Sequence, residues 1–473
     1  MQSKTKSKRR EFLKLTGLAG AASLLPAGYV QASAGRSALA SKGQAKNIIF
    51  LVVDGLSHGT LGLANQWKLR QHQTSLHWLQ LLERPDLNRS LQDTASADSP
   101  VTDSAAAATA WAAGQRVLNG ALNYDVQGQA LKPILSYAKE AGKRTGLVST
   151  CRITHATPAG FATNAKNRWM EDLIARQYLE RGVDVLLGGG TRHFTQEQED
   201  GSVVDYLARF QEQGYALATD RESLKAAAHN ERLLGLFSQS HVPFALDRKN
   251  DQSYAKTPGL AEMFEASLTS LSGAENGFFL QVEAGRVDHA GHANDAGAIL
   301  HEYLEFDDCI PIALDYIEKH PDTLLIVTTD HGTGGCQLDG QGESYLGSGP
   351  ALDRINRLKY SFEWLETRFR ATGQFNASDV TLATGIQPTA EQAAIVQKGL
   401  DDGMMYLSIA LIEAFGRQLN ELTAVGWSSS EHTAECADLF AFGPGAHRVP
   451  GYMKNSELFG IMMQAMGILP VGK

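Results

Sequence analysis

Positive charge is in short supply in this 473-residue chain: 43 Lys and Arg stand against 52 Asp and Glu, a formal net charge of −9. A general nucleic-acid binder needs clustered basic residues to neutralise phosphates, so the deficit argues against that class. Cysteine is scarce as well. The four present form no Cys-x-x-Cys pair, which excludes a disulfide scaffold and leaves three full pairings open. A long apolar run is missing beyond the extreme N-terminus, as are internal repeats and low-complexity segments. With 43% apolar and 20% charged residues, the chain is globular rather than disordered. At this length a core forms without metal or disulfide staples, so any metal ligands need a functional reason.

The N-terminus reads as an export address. Lys4, Lys6, Lys8, Arg9 and Arg10 form a basic run. Arg9-Arg10-Glu11-Phe12-Leu13-Lys14 resembles a twin-arginine signal, and Ala32-Ser33-Ala34 resembles its small-residue cleavage site. Gly17, Gly20, Pro26 and Gly28 make the intervening stretch a poor spanning helix. We therefore expect residues 1–34 to be a signal, the mature protein to be periplasmic or extracellular, and no stable membrane anchor to remain. Loss of that segment removes six basic residues and one acidic residue, leaving −14.

Short β-branched and apolar runs recur between helical patterns: Asn47–Val53, Thr145–Ser149, Val183–Leu187, Phe278–Val282, Leu324–Thr328 and Leu439–Phe442. Continuous apolar runs suit strands buried on both faces, which predicts a mostly parallel sheet with helices on either side. Helical patterns lie near Pro133–Ala141, Glu171–Arg181, Ala261–Leu271, Asn294–Glu318 and Thr389–Leu419. Several strands lead straight into polar residues: Val53 into Asp54, Val282 into Glu283 and Asp288, Thr329 into Asp330-His331. Ligand sites of open α/β sheets lie at carboxyl ends of strands, so these residues should converge.

Asp103-Ser104 opens an alanine-rich stretch through Trp111, a strong helix former that places Ser104 in the first turn. Taken alone, Ser104 reads as a helix cap; the same position also aims backbone N–H groups at an anion. Asp288 and His292 are four apart and share one face of a helical turn, a spacing that suits a shared metal. Asp330-His331 adds a second carboxylate and imidazole. His432, by spacing alone, has no assigned role.

In order along the chain, Asp54-Gly55, Asp103 to Ala110 (DSAAAATA), Thr154-His155-Ala156-Thr157-Pro158, Glu283…Asp288…His292, Thr329-Asp330-His331 and Glu431-His432-Thr433 resemble the alkaline phosphatase family over about residues 47–447. The resemblance implies a three-layer α/β/α sandwich with a crown-like insertion at about 336–427 in a single 35–473 domain, and a homodimer. It implies Ser104 as the nucleophile that becomes phosphorylated and Arg168 as the grip on two non-bridging phosphate oxygens. It also implies two zinc ions, one on Asp288, His292 and His432, the other on Asp54, Asp330 and His331. A third ion, magnesium in most of the family, would use Asp54, Thr157 and Glu283. Asp103, His155 and His289 would support the ligands from behind or contact the phosphate and its water. Because His155 and His289 bring nitrogen donors near the third position, zinc or cobalt should also be accepted there.

The expected reaction is hydrolysis of phosphate monoesters. Serine is a weak nucleophile and no base stands beside Ser104 in the sequence, so metal activation is expected. Two other readings remain: a phosphodiesterase of the same superfamily, and an exported metal- or phosphate-binding protein without activity. Retention of both Ser104 and Arg168 argues against the second. A sulfatase reading fails for want of a Cys-x-Pro-x-Arg type motif.

Overall fold

A computed structural model describes residues 44–197 and 201–468; the signal reading falls outside them. Ten strands build one sheet: β1 (Asn47–Val53), β2 (Asn88–Asp93), β3 (Arg144–Arg152), β4 (Val185–Gly189), β5 (Ala216–Ala218), β6 (Leu233–Leu236), β7 (Phe278–Ala284), β8 (Thr323–Thr329), β9 (Ala437–Phe442) and β10 (Tyr452–Lys454). Their order across the sheet is β10-β2-β9-β8-β1-β7-β3-β4-β6-β5. β9 runs against its two neighbours; every other pairing is parallel.

The apolar runs explain the layers. All seven residues of β1 are buried, as are all seven of β7 and of β8. Successive side chains of a strand point to opposite faces. Ile49, Leu51 and Val53 accordingly enter one hydrophobic cluster, while Ile48, Phe50 and Val52 enter another. Leu325 and Val327 of β8 join the first, and Leu324 and Ile326 the second. Helices cover both faces, and the molecule is the three-layer α/β/α sandwich expected. Among the described residues no helix is long and apolar enough to cross a membrane.

Two predicted helices divide. The pattern over 294–318 becomes Ala296–Asp307 and Cys309–Lys319, with Pro311 in the second helix's first turn, a position that needs no N–H donor. The pattern over 389–419 becomes Ala390–Asp401 and Ser408–Thr423, parted at Gly403, whose φ is 65°. The segment between β8 and β9 holds five α-helices, and a two-stranded pairing of Gln337–Leu338 with Val425–Gly426 ties its ends together.

In the middle of the sheet β8, β1, β7 and β3 are adjacent and parallel, so their carboxyl ends share one edge. Val53 registers with Thr329 and with Ala284, and Ser149 with Glu283. Residues far apart in sequence are brought to one rim by that register.

Candidate active site

The rim gathers four buried carboxylates, Asp54, Glu283, Asp288 and Asp330. Gly55 makes the turn after β1 possible: its φ is 77°, and a Cβ there would stand 2.6 Å from the Asp288 Cα. Asp330 Oδ1 accepts from the N–H groups of Gly55 (3.0 Å) and His331 (2.9 Å), fixing its carboxylate.

The Ser104 helix runs Ser104–Ala113. Asp103 caps it through Oδ1, which accepts from the Ala106 N–H at 2.9 Å. Its alanines serve close packing: a Cβ added at Gly160, on the helix Ala156–Ala162, would stand 2.6 Å from Ala108 Cβ. Ser104 is buried, and its Oγ lies 3.3 Å from His331 Nε2. No residue adjacent in sequence brings this imidazole to the serine; the sheet order does, because the β8 end faces the helix start.

Asp103 also accepts, through Oδ2, from Arg168 Nη1 at 2.9 Å and from the Gly120 N–H at 3.0 Å. One carboxylate thus sets both the serine helix and the arginine. Arg168 Nη2 faces His155 Nε2 at 3.1 Å, and its buried Nε has no partner. A buried guanidinium N–H without an acceptor is costly, and a bound oxyanion would satisfy it.

Three sets of side chains converge with one donor atom each within 4.8 Å of the others: Asp288 with His292 and His432; Asp54 with Asp330 and His331; Asp54 with His155 and Glu283. The first two are the groupings expected. In the third, His155 joins Asp54 and Glu283, and Thr157 Oγ1 donates to Asp54 Oδ2 at 3.3 Å. His289 Nδ1 lies 3.9 Å from Cys151 Sγ, and its ring centroid lies 5.4 Å from that of His155. His241, which no motif singled out, stands beside it, ring centroids 4.3 Å apart.

The protonation chemistry of these sets calls for cations. His292 Nδ1 faces the Ser430 carbonyl at 2.5 Å, and His432 Nδ1 faces that of Thr102 at 2.8 Å. Both Nδ1 atoms must then be the protonated ones, so both Nε2 lone pairs point inward. Those Nε2 atoms lie 3.0 Å apart, and 3.3 and 3.4 Å from Asp288 Oδ1. Lone pairs facing each other and a carboxylate repel unless a proton or a metal ion sits between them. Burial lowers the proton affinity of His432, yet Asp288 prevails and raises its pKa to about 9.

Around the second set, Asp54 Oδ1 and Asp330 Oδ2 are buried without hydrogen bonds. Burial, then the neighbouring Asp330, Asp288 and Glu283 charges, push the Asp54 carboxyl well above its ordinary range. Burial likewise takes Asp330 up to about 7, and Glu283 to about 7 against the hydroxyls of Ser149 and Thr157. Buried carboxylates of this kind are stable when paired or when they bind metal. Nitrogen and carboxylate donors suit zinc in the first two sets. Oxygen donors suit magnesium in the third, with the His155 nitrogen widening its choice.

A strut braces the His432 loop against the loop after β1. His58 Nδ1 lies 3.0 Å from Glu435 Oε2, and its Nε2 lies 3.1 Å from Asp438 Oδ2. Hydrogen bonds to Asp438 and Glu435 raise the His58 pKa from 6.5 to about 10. A raised folded-state pKa contributes stability that is full below the unfolded value and is lost as pH climbs through the folded one. Parent protein should therefore lose this contribution from about pH 6.5 to pH 10, and His58→Asn should lack it throughout. With His58 half exposed, screening holds the difference to about 1 kcal/mol. Thermal melts of both proteins across that range check it; a gap that widens toward pH 10 would overturn it.

The alkaline phosphatase family model matches residues 45–468. Alkaline phosphatase 4 of Bacillus subtilis is 30% identical over 439 residues, 91% of this chain and 90% of that protein. The repressible alkaline phosphatase of Saccharomyces cerevisiae is 38% identical over 318 residues, 61% of this chain and 55% of that protein. The crystal structure of Thermus thermophilus alkaline phosphatase superposes with a TM-score of 0.83 at 34% identity, covering 95% of this chain and 96% of that one. The chain belongs to the alkaline phosphatase family and is a phosphatase.

Proposed function

We propose that the chain hydrolyses phosphate monoesters to an alcohol and inorganic phosphate through a phosphoserine formed on Ser104. One observation carries this: Ser104 stands at a helix start beside His331 of the Asp54–Asp330–His331 set, with the adjacent Asp103 holding both the helix and Arg168. Asp288, His292 and His432 would hold one zinc, and Asp54, Asp330 and His331 a second. Asp54, Thr157 and Glu283 would hold magnesium, or zinc or cobalt with the help of His155. When bound, these ions supply the positive charge that acidifies a serine hydroxyl and stabilises a departing alkoxide.

The side chains do the rest. Arg168 donates to two non-bridging oxygens and orients the phosphoryl group with phosphorus facing Ser104 Oγ. Oγ bonds to phosphorus as the ester P–O bond breaks; the serine proton is released and the alcohol takes one up. Water then attacks the phosphoserine, regenerating Ser104 and freeing inorganic phosphate. Added alcohols should compete with water in that second step. The 3.3 Å contact of Ser104 with His331 offers a second reading, in which His331 acts as the base of a metal-free serine–histidine pair.

Arg168 separates the monoesterase from the diesterase reading. A monoester dianion carries two negative charges and a diester one, so a site built of a guanidinium and cations should prefer the former. We expect an aryl phosphate monoester to exceed the matching aryl diester in kcat/KM by on the order of 10²-fold at alkaline pH. Equal rates would favour the diesterase.

A further inference from the structure

Beside the third set lies a group of donors that belongs to none of the three ligand sets. Cys151 at the end of β3, His241 in the loop after β6, and His289 between Asp288 and His292 each bring one ligating atom within 4.8 Å of the other two. Cys151 is fully buried, and its Sγ lies 3.9 Å from His289 Nδ1. We infer that Cys151, His241 and His289 form a fourth metal site, for a borderline-to-soft ion of the zinc class.

The distances suit such an ion. Bond lengths of about 2.3 Å to sulfur and about 2.0 Å to nitrogen in a tetrahedron separate the donors by about 3.5 Å. The 3.9 Å between Cys151 and His289 needs a contraction of about 0.4 Å, and the other separations, within 4.8 Å, close as His241 turns. The donors differ in kind from the neighbouring carboxylate set, and one thiolate with two imidazoles selects against magnesium and calcium. Cys151 is held firmly, its N–H donating to Ser149 Oγ at 2.8 Å. Position along β3 fixes the sulfur, and the seven-residue helix Arg286–His292 fixes His289.

His241 is the adjustable member. Its Nδ1 faces the Arg152 N–H at 3.2 Å, and its Nε2 faces the Arg152 guanidinium. A neutral imidazole accepts at one nitrogen only, so this placement satisfies one contact and not the other. Arg152 does not depend on His241, because Glu171 pairs with it at 2.7 Å. Arg286, the other nearby cation, is paired with Glu363 at 2.7 Å. Occupation converts the Cys151 thiol to a thiolate bonded to the ion, and one proton leaves to solvent.

Cobalt provides a readout independent of turnover, since a thiolate ligand gives a sulfur-to-cobalt charge-transfer absorption and no other proposed set contains sulfur. The full chain dialysed against cobalt should show this absorption. Cys151→Ser should abolish it, His241→Gln should weaken cobalt binding at this site by about 10-fold or more, and Cys436→Ser should leave it unchanged. Absence of the absorption in the parent, or its survival in Cys151→Ser, would overturn the site. His241→Gln binding as tightly as the parent would also overturn it, and this test stands should Cys151→Ser fail to fold.

Discussion

Exhaustive chelation is expected to lower phosphomonoester turnover by on the order of 10³-fold or more, and added zinc to restore it. The expectation rests on the electrostatics of the rim. Stripped of cations, Asp54, Asp330 and Glu283 are buried carboxyls pushed far up in pKa, and the inward Nε2 atoms of His292 and His432 face Asp288. Without an ion those groups take up protons, and a protonated set cannot acidify a serine. Chelated protein should also melt earlier, because metal binding to the folded state alone adds stability. Zinc without magnesium should restore most of the rate, since His155 gives the third position a nitrogen donor. A strict magnesium requirement would overturn that part. Full activity surviving chelation would overturn the metal mechanism and favour the Ser104–His331 pair.

Ser104→Ala is expected to cost on the order of 10³-fold in kcat, with metal content and fold unchanged. Alanine is the best helix former, and the cap belongs to Asp103, so the helix loses nothing by the change. The excised hydroxyl carries the bond-forming atom in the proposed first step. Acid quenching during turnover should trap phosphate on the parent and none on the variant. Parent-like turnover by the variant, or trapped phosphate on it, would remove the phosphoserine from the reaction.

Much of the frame was legible because the central strands are buried on both faces. Asn47–Val53 reads as one continuous apolar run, and its limits coincide with those of β1. The three-residue strands Ala216–Ala218 and Tyr452–Lys454 at the sheet margins carry no such pattern, being too short to alternate. The helical pattern after Asn294 concealed a break, because Pro311 sits where a new helix tolerates it. In the site, spacing pointed to the Asp288–His292 pair, whose members share one turn, and the full ligand groupings were legible only through the family resemblance. Spacing could not reveal that His331 approaches Ser104, a fact set by which strand ends are neighbours across the sheet. Nor could it join Cys151 to His241, which meet only because β4 pairs with β3 and with β6.

The central pairings of β1 have a bearing on how the molecule comes into being. Asn47 Nδ2 donates to Thr323 Oγ1 across a sequence separation of 276, and β1 lies between β7 and β8 with no local partner. During synthesis the first strand must wait, solvated or held by others, until about half of the polypeptide has followed it. His432 arrives later still. Contacts of this range are slow to form because a long loop must close before any of them rewards it. Nascent fragments shorter than 432 residues therefore lack the complete Asp288–His292–His432 set, and its ion can be gathered only near the end of synthesis.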